Sequence, residues 1–242
     1  TVRVAQEAGA DVVIFCDTNG GTLPEDVSRV IGEAKRVVRV PTGIHAHNDC
    51  ELGVANSLAA VRAGCRQVQG TMNGYGERCG NADLTAVIPT LALKMGLPCL
   101  PSHKLKELTE VSRFVAEVSN MSQRPGQPYV GTTAFAHKGG VHVNAVKKNP
   151  KTYEHIEPSL VGNQRKILVS ELSGRTSLVT KAEELKLGLS KESPAAKKLL
   201  SLLQRLEHEG YHFEAAEGSF ELLLQRHLKK LKPFFELESF RV

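Results

Sequence analysis

The chain has 242 residues, 41% hydrophobic and 24% charged, with a formal net charge of +5. That length can bury a full core, and the composition is that of an ordinary globular protein, not a disordered or fibrous one. No apolar run approaches the roughly 18 residues that span a bilayer and no signal peptide opens the chain, so a cytoplasmic protein without a membrane partner is expected. Five cysteines, odd in number and lacking a C-x-x-C pair, read as reduced thiols. The basic stretch Gln225 to Lys232 lies on a predicted helix without interleaved aromatics. A solvated helix face explains it better than nucleic-acid binding.

In chain order, Thr1 to Ala10 reads as the tail of a helix, and Asp11 to Phe15 is a short apolar run suited to a parallel strand buried on both faces. The polar, glycine-bearing turn Cys16-Asp17-Thr18-Asn19-Gly20-Gly21 follows. Thr22-Leu23-Pro24-Glu25 has the form of a capping box, opening a helix with Val27, Val30, Ile31, Ala34 and Val38 on one stripe. Val40 to His47 is the next expected strand. His45 and His47, at i and i+2, then project from one strand face, where two imidazoles can share one divalent cation. Asp49 is the expected N-cap of a helix through Arg62 that Gly64 closes. Gln67 to Met72 reads as a third strand, leading through the glycine-rich loop Asn73 to Asn81 into a helix capped near Asp83, which Pro89 should kink.

This is βαβαβα with short loops, the pattern of a parallel sheet. Each strand delivers polar residues at its C-terminal end, the edge where chemistry gathers in doubly wound sheets and (β/α)8 barrels. The Rossmann alternative is set aside because Gly74 to Gly80 gives G-x-G-x-x-x-G instead of G-x-G-x-x-G. Three βα units cannot close a barrel. The chain also starts without Met and stops on strand-like Phe234 to Val242, so the expectation is the second part of a longer barrel, cut at both ends. After Gly96 the character changes. Lys104 to Asn120 reads as one amphipathic helix, Met121 to Gly131 as a linker, and Thr176 to Lys232 as helical, with Ser193-Pro194 capping a helix that Gly210 ends.

Three motifs carry a resemblance. Gly43-Ile-His45-Ala-His47-Asn-Asp49, then Gly70-Thr-Met-Asn-Gly-Tyr-Gly-Glu77-Arg78-Cys-Gly-Asn81, then His137-Lys-Gly-Gly-Val-His142 occur in this order. On them the chain resembles the acyl-CoA condensing enzymes, the isopropylmalate, homocitrate and citramalate synthase family. The citramalate branch is the nearest likeness, on Pro128-Tyr-Val-Gly-Thr132, Tyr153-Glu-His-Ile156 and Leu168 to Gly174. The resemblance implies an α/β fold, the C-terminal part of a (β/α)8 TIM barrel followed by a mainly helical subdomain. Residues 1–100 would be the last βα units. Residues 101–232 would be a linker and the subdomain covering the partner's active site in a homodimer, and 233–242 a candidate start of a regulatory domain.

The implied reaction joins acetyl-CoA to pyruvate and hydrolyses the thioester, giving citramalate and CoA as in isoleucine biosynthesis. Synthesis of 2-isopropylmalate or homocitrate is the alternative. A divalent metal, Zn, Mn or Co and less readily Mg, would sit on His45 and His47, with Asn81 completing or bracing its shell. A loop Asn satisfying turn amides is the plainer reading of Asn81. Thr18 matches the threonine that hydrogen-bonds the keto-acid carboxylate. His142 matches the subdomain histidine with a catalytic role and Tyr153 the tyrosine beside it. An imidazole can move the proton or activate water, and a phenol can hydrogen-bond a developing oxyanion. His137 and Glu77 are supporting candidates, while His103 and His155 read as surface or structural. The family's Arg-Asp-Gly motif, whose Asp ligates the metal, is absent from this sequence. Two other classes compete. The HMG-CoA-lyase branch carries a catalytic cysteine near the place Met72 takes here, which argues against it. A basic binding module or pseudo-enzyme would show no convergence of Thr18, His45 and His47.

Overall fold

The computed structural model describes residues 1–138, 140–168, 175–213, 216–228, 230–231 and 238–239. Two compact units emerge. The first comprises Thr1–Ala134 with Pro158–Gln164, the second Phe135–Glu157 with Arg165–Val242. The change of character after Gly96 therefore falls inside the first unit. None of the described helices is long and apolar enough to cross a membrane.

In the first unit, helix α1 (Val2–Glu7) precedes strand β1 (Val13–Asp17) and helix α2 (Pro24–Ala34). Strand β2 (Thr42–Ala46), helix α3 (Gly53–Arg62), strand β3 (Gln67–Gln69) and helix α4 (Leu84–Lys94) follow. The strands pair in parallel in the order β1-β2-β3, with Cys16 opposite His45 and His45 opposite Gln69. Ile44 and Ala46 are buried with Val27 and Ile31 of α2 and Ala60 of α3. Strand alternation then turns His45 to the face opposite these helices. The chain is thus an α/β repeat in which the helix-covered face is apolar and the other face carries the imidazoles.

Two capping expectations are corrected. Leu23 is the N-cap of α2 and makes no side-chain cap bond, while Pro24 holds the first helical position. Thr22 instead donates its hydroxyl to Asp17 Oδ1 at 2.7 Å. At α3, Asn48 Oδ1 accepts from the Gly53 amide at 3.0 Å, and Asp49 is engaged elsewhere. Asp83 does cap α4, accepting from the Thr85 amide at 2.8 Å, and α4 continues past Pro89 to Lys94. Gly64 takes the expected left-handed conformation after α3, with φ 102.

The single helix expected over Lys104 to Asn120 is two, α5 (Ser102–Leu105) and α6 (Leu108–Val118). The buried face of α6 is Leu108, Thr109, Ser112 and Ala116, whereas Phe114 and Val118 are 62% and 70% exposed. Polar groups can be buried there because each has a partner. Thr109 donates to the Val161 carbonyl at 2.6 Å and Ser112 to Asn73 Oδ1 at 2.5 Å. Nor is Met121 to Gly131 a loose tether. Val130 is fully buried, and buried Gln127 donates to Asn73, Asp83 and Thr85.

The second unit opens with a short parallel ladder, β4 (Ala136–His137) and β5 (Lys166–Ile167), flanking helix α7 (Gly140–Lys148). Helices α8 (Arg175–Glu184), α9 (Pro194–His208) and α10 (Glu217–His227) follow. Leu178, Leu199, Leu203, Phe220 and Leu224 form their core. Ser193 Oγ caps α9 at the Ala196 amide, with Pro194 at the first helical position, and Gly210 follows at φ 99. The expected regulatory start over 233–242 lies outside the described residues except 238 and 239, and the Leu168 to Gly174 motif lies outside them beyond Leu168.

Candidate active site

The C-terminal ends of β1, β2 and β3 converge on one cluster. His45 and His47 have ring centroids 5.2 Å apart, so the strand does present both imidazoles together. Gln69, across the ladder on β3, places Oε1 3.2 Å from His45 Nδ1 and fixes that ring. His47 forms a backbone bridge with Asn81. Both partners of that bridge carry a buried polar atom without a hydrogen-bond partner, Nδ1 of His47 and Oδ1 of Asn81. A buried polar atom left without a partner is costly. Nδ2 of Asn81 donates to the Tyr75 carbonyl at 3.3 Å, which holds the amide oxygen in its present direction. Among the described residues no group of three or more His, Cys, Asp or Glu side chains is arranged to hold a metal.

Thr18 is exposed at the end of β1 and lines an open cleft of about 630 Å³ with Cys16, Asp17, Asn19, Thr22 and Arg78. Buried Asp17 anchors that strand end, accepting from Thr22 and from Asn56 Nδ2 at 3.3 Å. Arg78 joins the loops. Its Nε and Nη2 donate to Asp49 Oδ1 and Oδ2 at 2.7 and 2.9 Å, and Nη2 also donates to the Thr18 carbonyl at 2.8 Å. The hydrogen bond from Arg78 holds the Asp49 carboxyl below its ordinary value. Glu77, a supporting candidate from the sequence, points largely into solvent and reaches Arg78 only at 3.9 Å.

Gly80 sets the turn that delivers Asn81. Its φ of 87 lies in the left-handed region. Its amide donates to the Glu77 carbonyl at 2.9 Å, and its carbonyl accepts from the Asn48 amide at 3.0 Å. A Cβ there would run into the Gly74 carbonyl oxygen. Gly80→Ala is expected to destabilise the protein by about 2–4 kcal/mol, from left-handed strain plus overpacking against backbone. Denaturant midpoints of the full-length protein check this. A loss well under about 1 kcal/mol would mean that the loop yields.

In the second unit His142 lies in the first turn of α7, exposed, and its ring centroid is 4.2 Å from that of Tyr153, itself 47% exposed. Neighbouring Glu154 is buried. It accepts from His137 Nε2 at 3.0 Å and from Arg165 through Nε at 2.6 Å and Nη2 at 2.5 Å. Burial pushes the Glu154 carboxyl up, but the bonds from Arg165 and His137 outweigh it and leave the group below its usual value. His137 is thus a hydrogen-bond partner of the Glu154–Arg165 ion pair. His155 stacks on Phe135 with centroids 5.8 Å apart. Sequence reasoning passed over Arg78, Asp49 as its partner, Gln69, Glu154 and Arg165. Arg78 lies within a quoted motif, but nothing in its spacing reveals a contact 29 residues away.

The HMGL-like family matches residues 1–115, and the homocitrate synthase post-HMGL domain-like family matches 129–210. (R)-citramalate synthase from Aquifex aeolicus is 54% identical over 242 residues, covering 100% of this chain and 46% of that protein. The same enzyme from Geobacter sulfurreducens is 50% identical with the same coverage. The 2-isopropylmalate synthase of Methanocaldococcus jannaschii is 40% identical over 190 residues, 78% of this chain and 36% of that protein. The chain spans about half the length of the curated relatives it matches. The parallel βα units and the convergence at their C-terminal edge are those of the C-terminal part of an HMGL-like (β/α)8 barrel, followed by a mainly helical segment. The chain belongs to the isopropylmalate, homocitrate and citramalate synthase family.

Proposed function

We propose that this chain is the later part of a divalent-metal-dependent citramalate synthase, condensing acetyl-CoA with pyruvate and hydrolysing the thioester. The observation that carries this reading is that His47 Nδ1 and Asn81 Oδ1, on the two residues of one backbone bridge, are both buried without partners, with the His45 ring 5.2 Å from that of His47. These atoms fit a cation, and His45, His47 and Asn81 are the residues that would hold it. Once bound, a divalent ion supplies Lewis-acid polarisation of the keto carbonyl, worth several kcal/mol. Thr18 is assigned to the keto-acid carboxylate, as a hydroxyl donor on the cleft wall. His142 is assigned to the proton of the acetyl methyl or of the hydrolytic water. Tyr153, in ring contact with it, orients that imidazole and offers a phenol to the developing oxyanion. In the homodimer this pair would serve the partner's barrel.

The relatives support pyruvate over larger keto acids, since the citramalate synthases match the whole chain at higher identity than the isopropylmalate synthase does. The full-length protein, assayed for CoA release with pyruvate, 2-ketoisovalerate and 2-ketoglutarate, is expected to prefer pyruvate in kcat/KM by at least about 100-fold, as a pocket fitted to one side chain allows. Preference for either larger acid would overturn the citramalate assignment within the family.

A further inference from the structure

Arg78 has no part in the chemistry above, yet it joins the three βα loops that follow β1, β2 and β3. Its guanidinium grips both carboxylate oxygens of Asp49 on the β2–α3 loop and the carbonyl of Thr18 on the β1–α2 loop. Its own backbone belongs to the β3–α4 loop, three residues before Asn81. That backbone is left-handed at φ 56, a conformation rare for a residue with a long side chain and kept only where the surroundings impose it. The side chain also lines two clefts at once. One is the Thr18 cleft, and the other, of about 310 Å³, is walled by Asn48, Tyr75, Asp83 and Gln127 among others.

The fork geometry matters here. A guanidinium satisfies two carboxylate oxygens and a third acceptor in one plane, which an ammonium cannot do. The pair is also partly solvated, Arg78 at 40% and Asp49 at 22% side-chain exposure. Ion pairs so placed add little stability, so holding the fold together does not account for three good bonds on one strained residue. Main-chain bonds already tie the same loops, from Cys50 N to Gly20 O at 3.2 Å and from Asn48 N to Gly80 O at 3.0 Å. What the guanidinium adds is a fixed position for the Thr18 main chain on the wall of the cleft.

We propose that Arg78 is a positioning residue for the keto-acid subsite, a clasp that sets Thr18 relative to His47 and Asn81. This rests on the functional reading given above. Displacement of a supporting contact around a metal or substrate group typically costs about 10–100-fold. In the full-length enzyme, Arg78→Gln is therefore expected to raise KM for the keto acid about tenfold or more. KM for acetyl-CoA should stay within about twofold, and Tm within about 4 °C, the scale of a lost exposed ion pair. Arg78→Lys should recover only a small part of the loss, because it restores charge without the fork. Added guanidinium should restore Arg78→Ala, the site being open to solvent. A general structural defect would instead raise both KM values together and would not respond to guanidinium.

Asp49→Asn, which leaves Arg78 in place and weakens its anchor, should show the same one-sided KM change, and it carries the test should Arg78→Gln fail to fold. Thr18→Ala run in parallel separates the two levels of failure. If Thr18→Ala leaves keto-acid KM unchanged, the assignment of Thr18 falls and the clasp with it. If Thr18→Ala raises that KM while the Arg78 and Asp49 variants do not, the clasp alone is overturned.

Discussion

His47→Ala in the full-length protein is expected to lower kcat roughly 10³-fold and to strip most of the bound divalent metal. The magnitude follows from the Lewis-acid contribution of several kcal/mol, each 1.36 kcal/mol being about tenfold in rate. The direction follows from geometry. Nδ1 of His47 is buried without a partner, the Asn81 amide oxygen across the bridge is in the same condition, and the His45 ring lies 5.2 Å away. Removing the imbalance by truncating the imidazole should not destabilise the fold, because a buried polar atom without a partner is itself a cost. Loss of function at equal or higher Tm is therefore the signature of a ligand. Elemental analysis of the purified variant, with the rate of CoA release, checks both halves. Unchanged metal content with unchanged rate would favour a non-catalytic reading of the whole constellation.

The second large effect lies in the helical part. Glu154→Gln is expected to cost about 3 kcal/mol at neutral pH, since it strands Arg165 and His137 beside a carboxylate site whose side chain is only 2% exposed. Arg165, 31% exposed, can partly rehydrate, which keeps the loss at the lower end of the range for buried pairs. The pH dependence follows from the lowered carboxyl. A group whose folded value is depressed contributes stability that is complete above the unfolded value, here near 4.5. That contribution is lost as pH falls through the lower folded value. The wild-type Tm should therefore drop more steeply than that of Glu154→Gln below about pH 4.5, and the two curves should close on each other in acid. Calorimetry from pH 7 to pH 3 measures this, and parallel curves would show that the network does not hold the carboxylate as described. The same variant should lower kcat, because the bonds from Arg165 to Glu154 fix the chain beside Tyr153 and so the ring contact with His142.

The behaviour of α6 shows how tertiary context overrides part of a sound local argument. Of the apolar stripe Leu105, Leu108, Val111, Val115 and Val118, the structure buries Leu105 and Leu108 but exposes Val111 and Val118, and it buries Thr109, Ser112 and Ala116 beside Leu108. Periodicity ranks side chains by their aversion to water. Asn73 and the Val161 carbonyl lie far away in sequence and supply the partners that make a polar face the better one to bury. Asp49 makes the same point at a single residue. By type and place it suits a helix cap, but it pairs with Arg78 through charge-assisted bonds, while Leu52 is the N-cap of α3 and Asn48 Oδ1 accepts from the Gly53 amide.

Local chemistry determined much of this protein. Alternation places His45 and His47 on one strand face, glycines close α3 and α9, Ser193 and Asp83 cap their helices, and short βα spacing dictates parallel strands. Each of these depends on residues within a few positions of one another, which is why they are legible in order. Only the tertiary structure decided which polar atoms lack partners, and that the Arg78 fork spans three loops. It alone also decided that His137, Glu154 and Arg165 share one buried network. Those facts depend on contacts between residues 11 to 60 positions apart, and no pattern along the chain encodes the partner of a charge at that range.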